Sequence, residues 1–302
     1  MDRSIRLSLE ELFSSLDIPQ MEDEDGPKGP GNPGYPFRPM LNALILMPLS
    51  SESESGLARL LKRLPSLAED CGFKRGRTPS QPTINRFKHR VGLEGFRRIF
   101  KLLVERLVGG EVVKGPSLVI DATGVEVGRT DPDAAWGYVS KEGLIYGYKV
   151  HLIADYDSEL PIELRVTPAN IYENAMFKPL VKAAKRKGVK ASWVAGDAIH
   201  DNRETRSFLK SIGARAFIDH NPRRAGKGKA KPMSKTYRRM KASVERVFSR
   251  AKGLLGLDRI RVRGFDSVSI HVHIVFIAML SVAIAANGNG LDDKIRCIRT
   301  IF

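Results

Sequence analysis

The stretch from Ile270 to Ala286 (IHVHIVFIAMLSVAIAA) runs without an Asp, Glu, Lys or Arg. A segment so apolar has to be withdrawn from water on every side, either in a bilayer or in a protein core large enough to surround it. A bilayer-spanning helix needs roughly 20 apolar residues, and His271 and His273 interrupt the start of this run. The expectation is a buried core helix and no membrane association. The chain can supply the surroundings. Hydrophobic residues are 42% of its 302 positions, which fits one large domain or two ordinary ones.

The rest of the composition points to a partner. There are 50 Lys+Arg against 34 Asp+Glu, a formal net charge of +16. A globular chain this basic is expected to meet a polyanion, nucleic acid before an anionic membrane surface. The two cysteines, Cys71 and Cys297, form no Cys-x-x-Cys pair and no zinc spacing, which suits a reducing cytosol. The opening MDRSIRLSLEELFSSLD lacks a long apolar run, so no signal peptide is expected. A cytoplasmic, nucleoid-associated protein is the expected setting.

Residues 20–38 are rich in Pro, Gly and acids, so 1–38 reads as a flexible arm and linker. Residues 39–110 read as a small all-helical domain. Leu57, Leu60, Leu61 and Leu64 recur at helical spacing, Pro79 to Thr83 punctuates, and a further helix runs from Glu94 to about Val108. The helix carrying Arg86, Lys88, His89 and Arg90 suits a DNA groove and, equally, a solvated face.

From residue 116 the texture changes. Ser117–Asp121, Tyr148–Ala154, Leu160–Val166, Ala191–Ala195 and Ala214–Ile218 read as strands, interleaved with helices at Asn174–Lys187, Arg203–Ile212 and about 235–255. That order predicts a mixed sheet with flanking helices, an α/β plan occupying 116–290, followed by a tail at 291–302.

Three acids stand out by position. Asp121 ends the first predicted strand, Asp197 ends the fourth, and Glu245 sits within the basic helix YRRMKASVERVFSRAKG. Functional groups gather beyond strand ends in open α/β sheets. Lys241, Glu245 and Lys252 share one helix face beside an apolar stripe of Val244, Val247, Phe248, Ala251 and Leu255. Packing that stripe on the sheet turns Glu245 toward the two aspartates. Converging carboxylates suit hard divalent cations, and two Mg²⁺ ions about 3.5–4 Å apart can drive phosphodiester displacement. Taken singly, each acid is also an ordinary turn, cap or ion-pair residue.

The ordered set resembles the DDE transposases of bacterial and archaeal insertion sequences. The segments that carry the resemblance are Leu118–Thr123, Gly147–His151, Leu160–Ile162 with Val166–Asn170, Ala195–Asp201, and Val244–Phe248 with Lys252. It extends from about residue 38 to 286 and includes Pro79–Phe87. The resemblance implies a ribonuclease-H-like fold, with Asp121, Asp197 and Glu245 as the catalytic, metal-binding triad for two Mg²⁺ ions (or Mn²⁺). It implies double-stranded DNA as partner, both transposon ends and target, and a homodimer or higher oligomer at synapsis. Lys252 matches a basic position that holds transposon-end DNA. The family usually has an Arg four residues before the glutamate and a Tyr three before that. Here Lys241 and Arg238 stand there, with Tyr237 one step away, and Lys lacks the bidentate grip of Arg. The span between Asp197 and Glu245 leaves little room for the β-rich insertion of some relatives.

Further DNA contacts are expected from the glycine-rich basic loop holding Arg223, Arg224, Lys227, Lys229 and Lys231, with Arg246 and Arg250 adding charge beside the site. Trp193 reads as core, and Trp136 as a loop residue that could meet a displaced base. His151 and His200 read as satisfied structural histidines. Two rivals share the sequence features: a ribonuclease-H-like nuclease without strand transfer, and a non-catalytic DNA-binding protein derived from a transposase.

Overall fold

The computed structural model describes residues 6–19, 34–139, 142–219 and 235–301. In chain order the helices are α1 (Leu9–Ser14), α2 (Phe37–Leu49), α3 (Glu54–Arg63), α4 (Pro65–Asp70), α5 (Gln81–Gly109), α6 (Asn174–Arg186), α7 (Arg203–Ser211), α8 (Lys235–Gly253) and α9 (Phe265–Gly288). The strands are β1 (Ser117–Glu126), β2 (Ala135–Val139), β3 (Gly143–Asp155), β4 (Pro161–Pro168), β5 (Trp193–Gly196) and β6 (Arg215–Ile218). The chain forms two compact units. One comprises Met1–Leu103, Ala251–Arg261 and Asp266–Phe302, and the other Val104–Arg250 with Val262–Phe265.

The first unit is helical and is built around α9. By length and composition α9 could cross a bilayer, yet its residues are buried within the structure. Both its histidines have carbonyl partners: His273 Nδ1 lies 2.7 Å from the Ser269 carbonyl within the helix, and His271 Nε2 lies 3.1 Å from the Gly256 carbonyl before it. The expected core helix is present, extended at its start from Ile270 back to Phe265. α5 is two helical stretches meeting at Gly92, whose φ of 64° no β-carbon tolerates comfortably. Lys88, placed by sequence on a candidate DNA face, is instead buried and ion-paired with Glu54. Burial with a partner makes it a packing residue, and Arg86, His89 and Arg90 keep the exposed side.

The ends of the chain also depart from expectation. Residues 6–19, read as part of a flexible arm, hold α1. Ser8 caps it reciprocally with Glu11, worth about 1 kcal/mol, and Leu9, Leu12 and Phe13 are buried. The Leu7 N–H donates to the Thr300 carbonyl at 2.9 Å, and within the predicted tail Ile298, Thr300 and Ile301 are buried. The compact units cut the chain differently from the stretches read off the sequence. α9 groups with the N-terminal helices, and the sheet unit begins at Val104, inside α5.

The second unit holds a six-stranded mixed sheet of order β2-β3-β1-β5-β6, with β4 also pairing β3. β1, β3 and β4 are antiparallel neighbours, while β5 and β6 run parallel to β1. With its flanking helices this is the ribonuclease-H-like arrangement. β2 is a strand where a loop was expected around Trp136, and β3 begins five residues earlier than the predicted Tyr148. β1 does not stop at Asp121 but continues to Glu126 along β3.

Candidate active site

Asp121 is mid-strand, yet it still lies at an end. β1 pairs with β5 only over Ser117↔Trp193, Leu118↔Val194 and Val119↔Ala195. Two residues beyond the last rung are Asp121, still on β1, and Asp197, one residue past the end of β5, so both acids follow the point where this ladder ends. Neighbouring strands lie about 4.8 Å apart. β5 ends at Gly196, and Asp197 turns the chain into a short 3-10 segment, Ala198–His200.

α8 is held against this strand end through its first two turns. The buried Tyr237 hydroxyl donates to the Gly196 carbonyl at 3.1 Å. Burial pushes this phenol up to about 12, and the charges of Asp219 and Asp121 push in the same direction, so it stays protonated and acts as a donor. One turn later the Lys241 ammonium pairs with Asp197 Oδ1. Another turn brings Glu245 to the same cleft. The helix reaches this pose because Tyr237, Met240, Val244, Val247 and Phe248 are buried, as the apolar stripe requires.

The cleft has a volume of about 1080 Å³. Asp197, Asp219, Glu245, Arg238 and Lys241 line it, along with Lys149 and Glu173. Its other wall is apolar: Trp136, Tyr138, Leu144 and Tyr172 line the same space, each at least 48% exposed. A cleft with acids and bases on one side and bare aromatic rings on the other can accept a polyanion that also presents flat apolar faces.

Among the described residues, no three His, Cys, Asp or Glu side chains are grouped closely enough to hold a metal ion. Asp197 and Glu245 line the cleft, Asp121 is not among its lining residues, and the three form no closed cage. Carboxylates drawn closer would repel one another, and Lys241 supplies the positive charge beside Asp197. That pair is about one quarter exposed on both sides, the class of ion pair worth only ~0–1 kcal/mol, so a stronger partner for Asp197 can displace it. The donor set consists of hard, partly exposed carboxylate oxygens, which fit a divalent cation.

The other predicted site residues fall differently. Arg238 and Lys241 line the cleft, whereas Lys252 is not among its lining residues. Lys252 is seven residues past Glu245, roughly 10 Å farther along the axis. Arg223, Arg224, Lys227, Lys229 and Lys231 lie outside the described residues. Arg246 and Arg250, expected beside the site as added charge, are both bound to Glu159. Trp193 is half-buried rather than core, with the Arg215 guanidinium 4.9 Å from its ring centre. His151 and His200 are buried, held by Thr167 and Asn174, and desolvation pushes them down to about 3 and about 4.

Sequence reasoning passed over Asp219 and Lys149. Asp219 follows β6 as Asp197 follows β5, so the strand-end rule that found one could have found the other. Lys149 is buried within β3, 3.4 Å from Glu173, and nothing in a strand pattern marks a lysine that points into a cleft.

Comparison with known proteins decides the family. A family model described as "Transposase DDE domain" matches residues 114–281, more than half of the chain. The chain belongs to the DDE transposase family. It is accordingly a DNA transposase, and transposases of this family work with divalent metal ions. The matched span covers β1, β5 and α8, and with them Asp121, Asp197 and Glu245. A search of curated protein sequences returns no match. Solved structures similar to the transposase include a piggyBac transposase synaptic complex with hairpin DNA, at 11% identity and TM-score 0.48, covering 98% of this chain and 76% of that one. A Drosophila P element transposase strand transfer complex matches at 11% identity and TM-score 0.36, over 90% and 65%. A Mos1 transposase paired-end complex with the left transposon end matches at 11% identity and TM-score 0.25, over 76% and 82%. At these scores the assignment rests on the family match.

Proposed function

We propose that Asp121, Asp197 and Glu245 are the catalytic carboxylates of this transposase and hold two Mg²⁺ ions, or Mn²⁺ in their place. The observation that carries this reading is convergence. Asp121 and Asp197 each follow the last rung between β1 and β5 by two residues, and Glu245 lines the cleft that Asp197 lines. When bound, the metal ions polarise the scissile phosphate and make the attacking oxygen more acidic.

The remaining work belongs to the chain's own residues. Lys241 and Arg238 offer positive charge to the DNA backbone at the cleft, fixing its position without reading its sequence. Lys241, held to Asp197 by a partly exposed ion pair, would be available to phosphate if Asp197 held a metal ion. Trp136, Tyr138 and Tyr172 give bases a surface to stack on. Water attacks first and frees a 3′-OH at the transposon end, and that 3′-OH then attacks target DNA. No protein nucleophile takes part. Double-stranded DNA is the partner, and bringing two ends together calls for at least a homodimer. A cytoplasmic setting at the nucleoid follows from that substrate, and the exposed bases at Arg86, His89 and Arg90 add DNA contact from the helical region.

The test is a paired-end cleavage and strand-transfer assay with Asp121→Asn, Asp197→Asn and Glu245→Gln. Each variant is expected to retain DNA binding and lose both steps, in Mg²⁺ and in Mn²⁺. Full-rate joining by Asp121→Asn sinks the assignment. Cleavage without joining by the unmodified protein favours a plain nuclease.

A further inference from the structure

The turn between β3 and β4 carries a carboxylate with no part in the reaction and an unusual number of partners. Glu159 is 2% exposed and adopts a φ of 53°, in the left-handed region that residues other than Gly, Asn and Asp rarely occupy. Its side chain faces α8. Arg246 Nε donates to Glu159 Oε1 at 2.7 Å, and Arg246 Nη2 donates to the same oxygen. Arg250 Nη1 donates to Oε2 at 2.8 Å, and Arg250 Nη2 donates to the Glu159 backbone carbonyl at 2.8 Å. One residue thus receives two guanidinium groups one helical turn apart. Burial alone would raise its carboxyl, but the hydrogen bonds from Arg246 and Arg250 outweigh that and hold it below the usual glutamate range. It is ionised whenever the protein is folded near neutrality.

The geometry explains what such a clamp does. α8 is tied to the strand ends at two places. Its N-terminal turns are held at Gly196 and Asp197 by Tyr237 and Lys241, and its later turns at Glu159 by Arg246 and Arg250. Glu245 lies between the two ties, directly beside Arg246. Apolar packing of a helix leaves some freedom to slide and roll, because methyl groups fit several neighbouring notches. Directed bonds from two guanidinium groups, Arg246 to one carboxylate oxygen and Arg250 to the other oxygen and the backbone carbonyl, do not share that tolerance. We propose that Glu159 is a positioning residue, fixing the roll and axial register of α8 so that the Glu245 carboxylate is presented to the cleft.

This proposal rests on Glu245 being a metal-binding carboxylate, so its test carries a separate control. The full chain is prepared with Glu159→Gln, Glu159→Asp, Arg246→Gln and, as control, Glu245→Gln. Each is titrated with Mn²⁺ alone by calorimetry and assayed for Mn²⁺-dependent nicking of supercoiled plasmid. Glu159→Gln is expected to weaken Mn²⁺ binding about tenfold and lower kcat about tenfold, the effect typical of residues supporting a metal ligand, with KM for plasmid unchanged. Glu159→Asp recovers part of both. Arg246→Gln, losing a guanidinium that is 53% exposed, shifts both in the same direction by about threefold and remains informative if Glu159→Gln does not melt cooperatively. Wild-type Mn²⁺ affinity and kcat in the folded clamp variants, even at a lowered Tm, overturn the proposal. Wild-type behaviour of Glu245→Gln overturns instead the assignment on which it stands.

Discussion

α8 and α9 are the two long helices of the C-terminal half, and they differ in almost every respect. α9 is buried along nearly its whole length, and its own backbone carbonyls meet His273 and Ser281. α8 is apolar along one stripe only. The rest of its surface carries Arg and Lys with Glu245 among them, and it makes directed bonds to strand ends at Gly196, Asp197 and Glu159. A helix buried all round gains stability from every residue, and a polar group there is a cost to be met locally. A helix buried on one stripe has a second surface to spend on chemistry. The contrast separates stability from function by position, and it can be tested at both ends.

The largest effects are expected from removing one side chain from each helix. Glu245→Ala should lower DNA cleavage roughly 10³-fold or more, about 4 kcal/mol of barrier, with little change in Tm. Phe276→Ala, in the fully buried part of α9, should cost about 3–5 kcal/mol of folding stability in urea titrations while the surviving folded fraction cleaves normally. A large Tm loss in the first variant, or a catalytic defect in the folded second, breaks the division.

A smaller effect concerns pH. Burial pushes His271 on α9 down to about 4, against about 6.5 in an unfolded chain. Because its folded value is the lower one, the unfolded chain binds the extra proton. Stability is complete above pH 6.5 and falls as pH drops toward 4, by roughly 1–3 kcal/mol from this residue. Melting curves from pH 7 to 5 should show that slope, and His271→Leu should make it shallower, leaving the part that His151 and His200 contribute. A slope unchanged in His271→Leu assigns the pH response elsewhere.

The smallest effect sharpens the functional side. Trp136→Ala, at an exposed ring on the cleft wall, should weaken single-stranded DNA binding by about 1 kcal/mol, roughly fivefold, and leave Tm alone. Equal binding by the variant removes the aromatic wall from the proposed DNA surface.

The parts of the fold legible in the sequence were those with a continuous apolar run or a regular apolar stripe. β5, β6, α6, α7, α8 and α9 announce themselves through apolar runs or stripes, and all appear within a few residues of their expected bounds. β2 was missed because Ala135–Val139 puts Trp136 and Tyr138 outward and Gly137 inward, an aromatic–glycine alternation that mimics a loop. Gly137 is needed there: a β-carbon would sit 1.9 Å from the Ala169 carbonyl oxygen. β1 read as stopping at Asp121 because Ala-Thr-Gly resembles a turn, whereas a β-carbon on Gly124 would meet Ile145 at 2.6 Å inside the paired sheet. α1 was hidden although Ser8 and Glu11 spell a capping box, because the acidic and proline-rich residues after it suggested an arm. At the candidate site, Asp197 follows a strand end and Glu245 lines the cleft as expected, whereas Asp121 stands within β1 rather than at its end. Glu159 was not, since its importance lies in contacts made 87 and 91 residues away.

The rung between Val119 and Ala195 makes β1 a ruler. Side chains on a strand alternate sides, so gaining or losing a single residue between Val119 and Asp121 would swing the acid to the opposite surface of the sheet. Along this stretch the chain can exchange letters more freely than it can change their number.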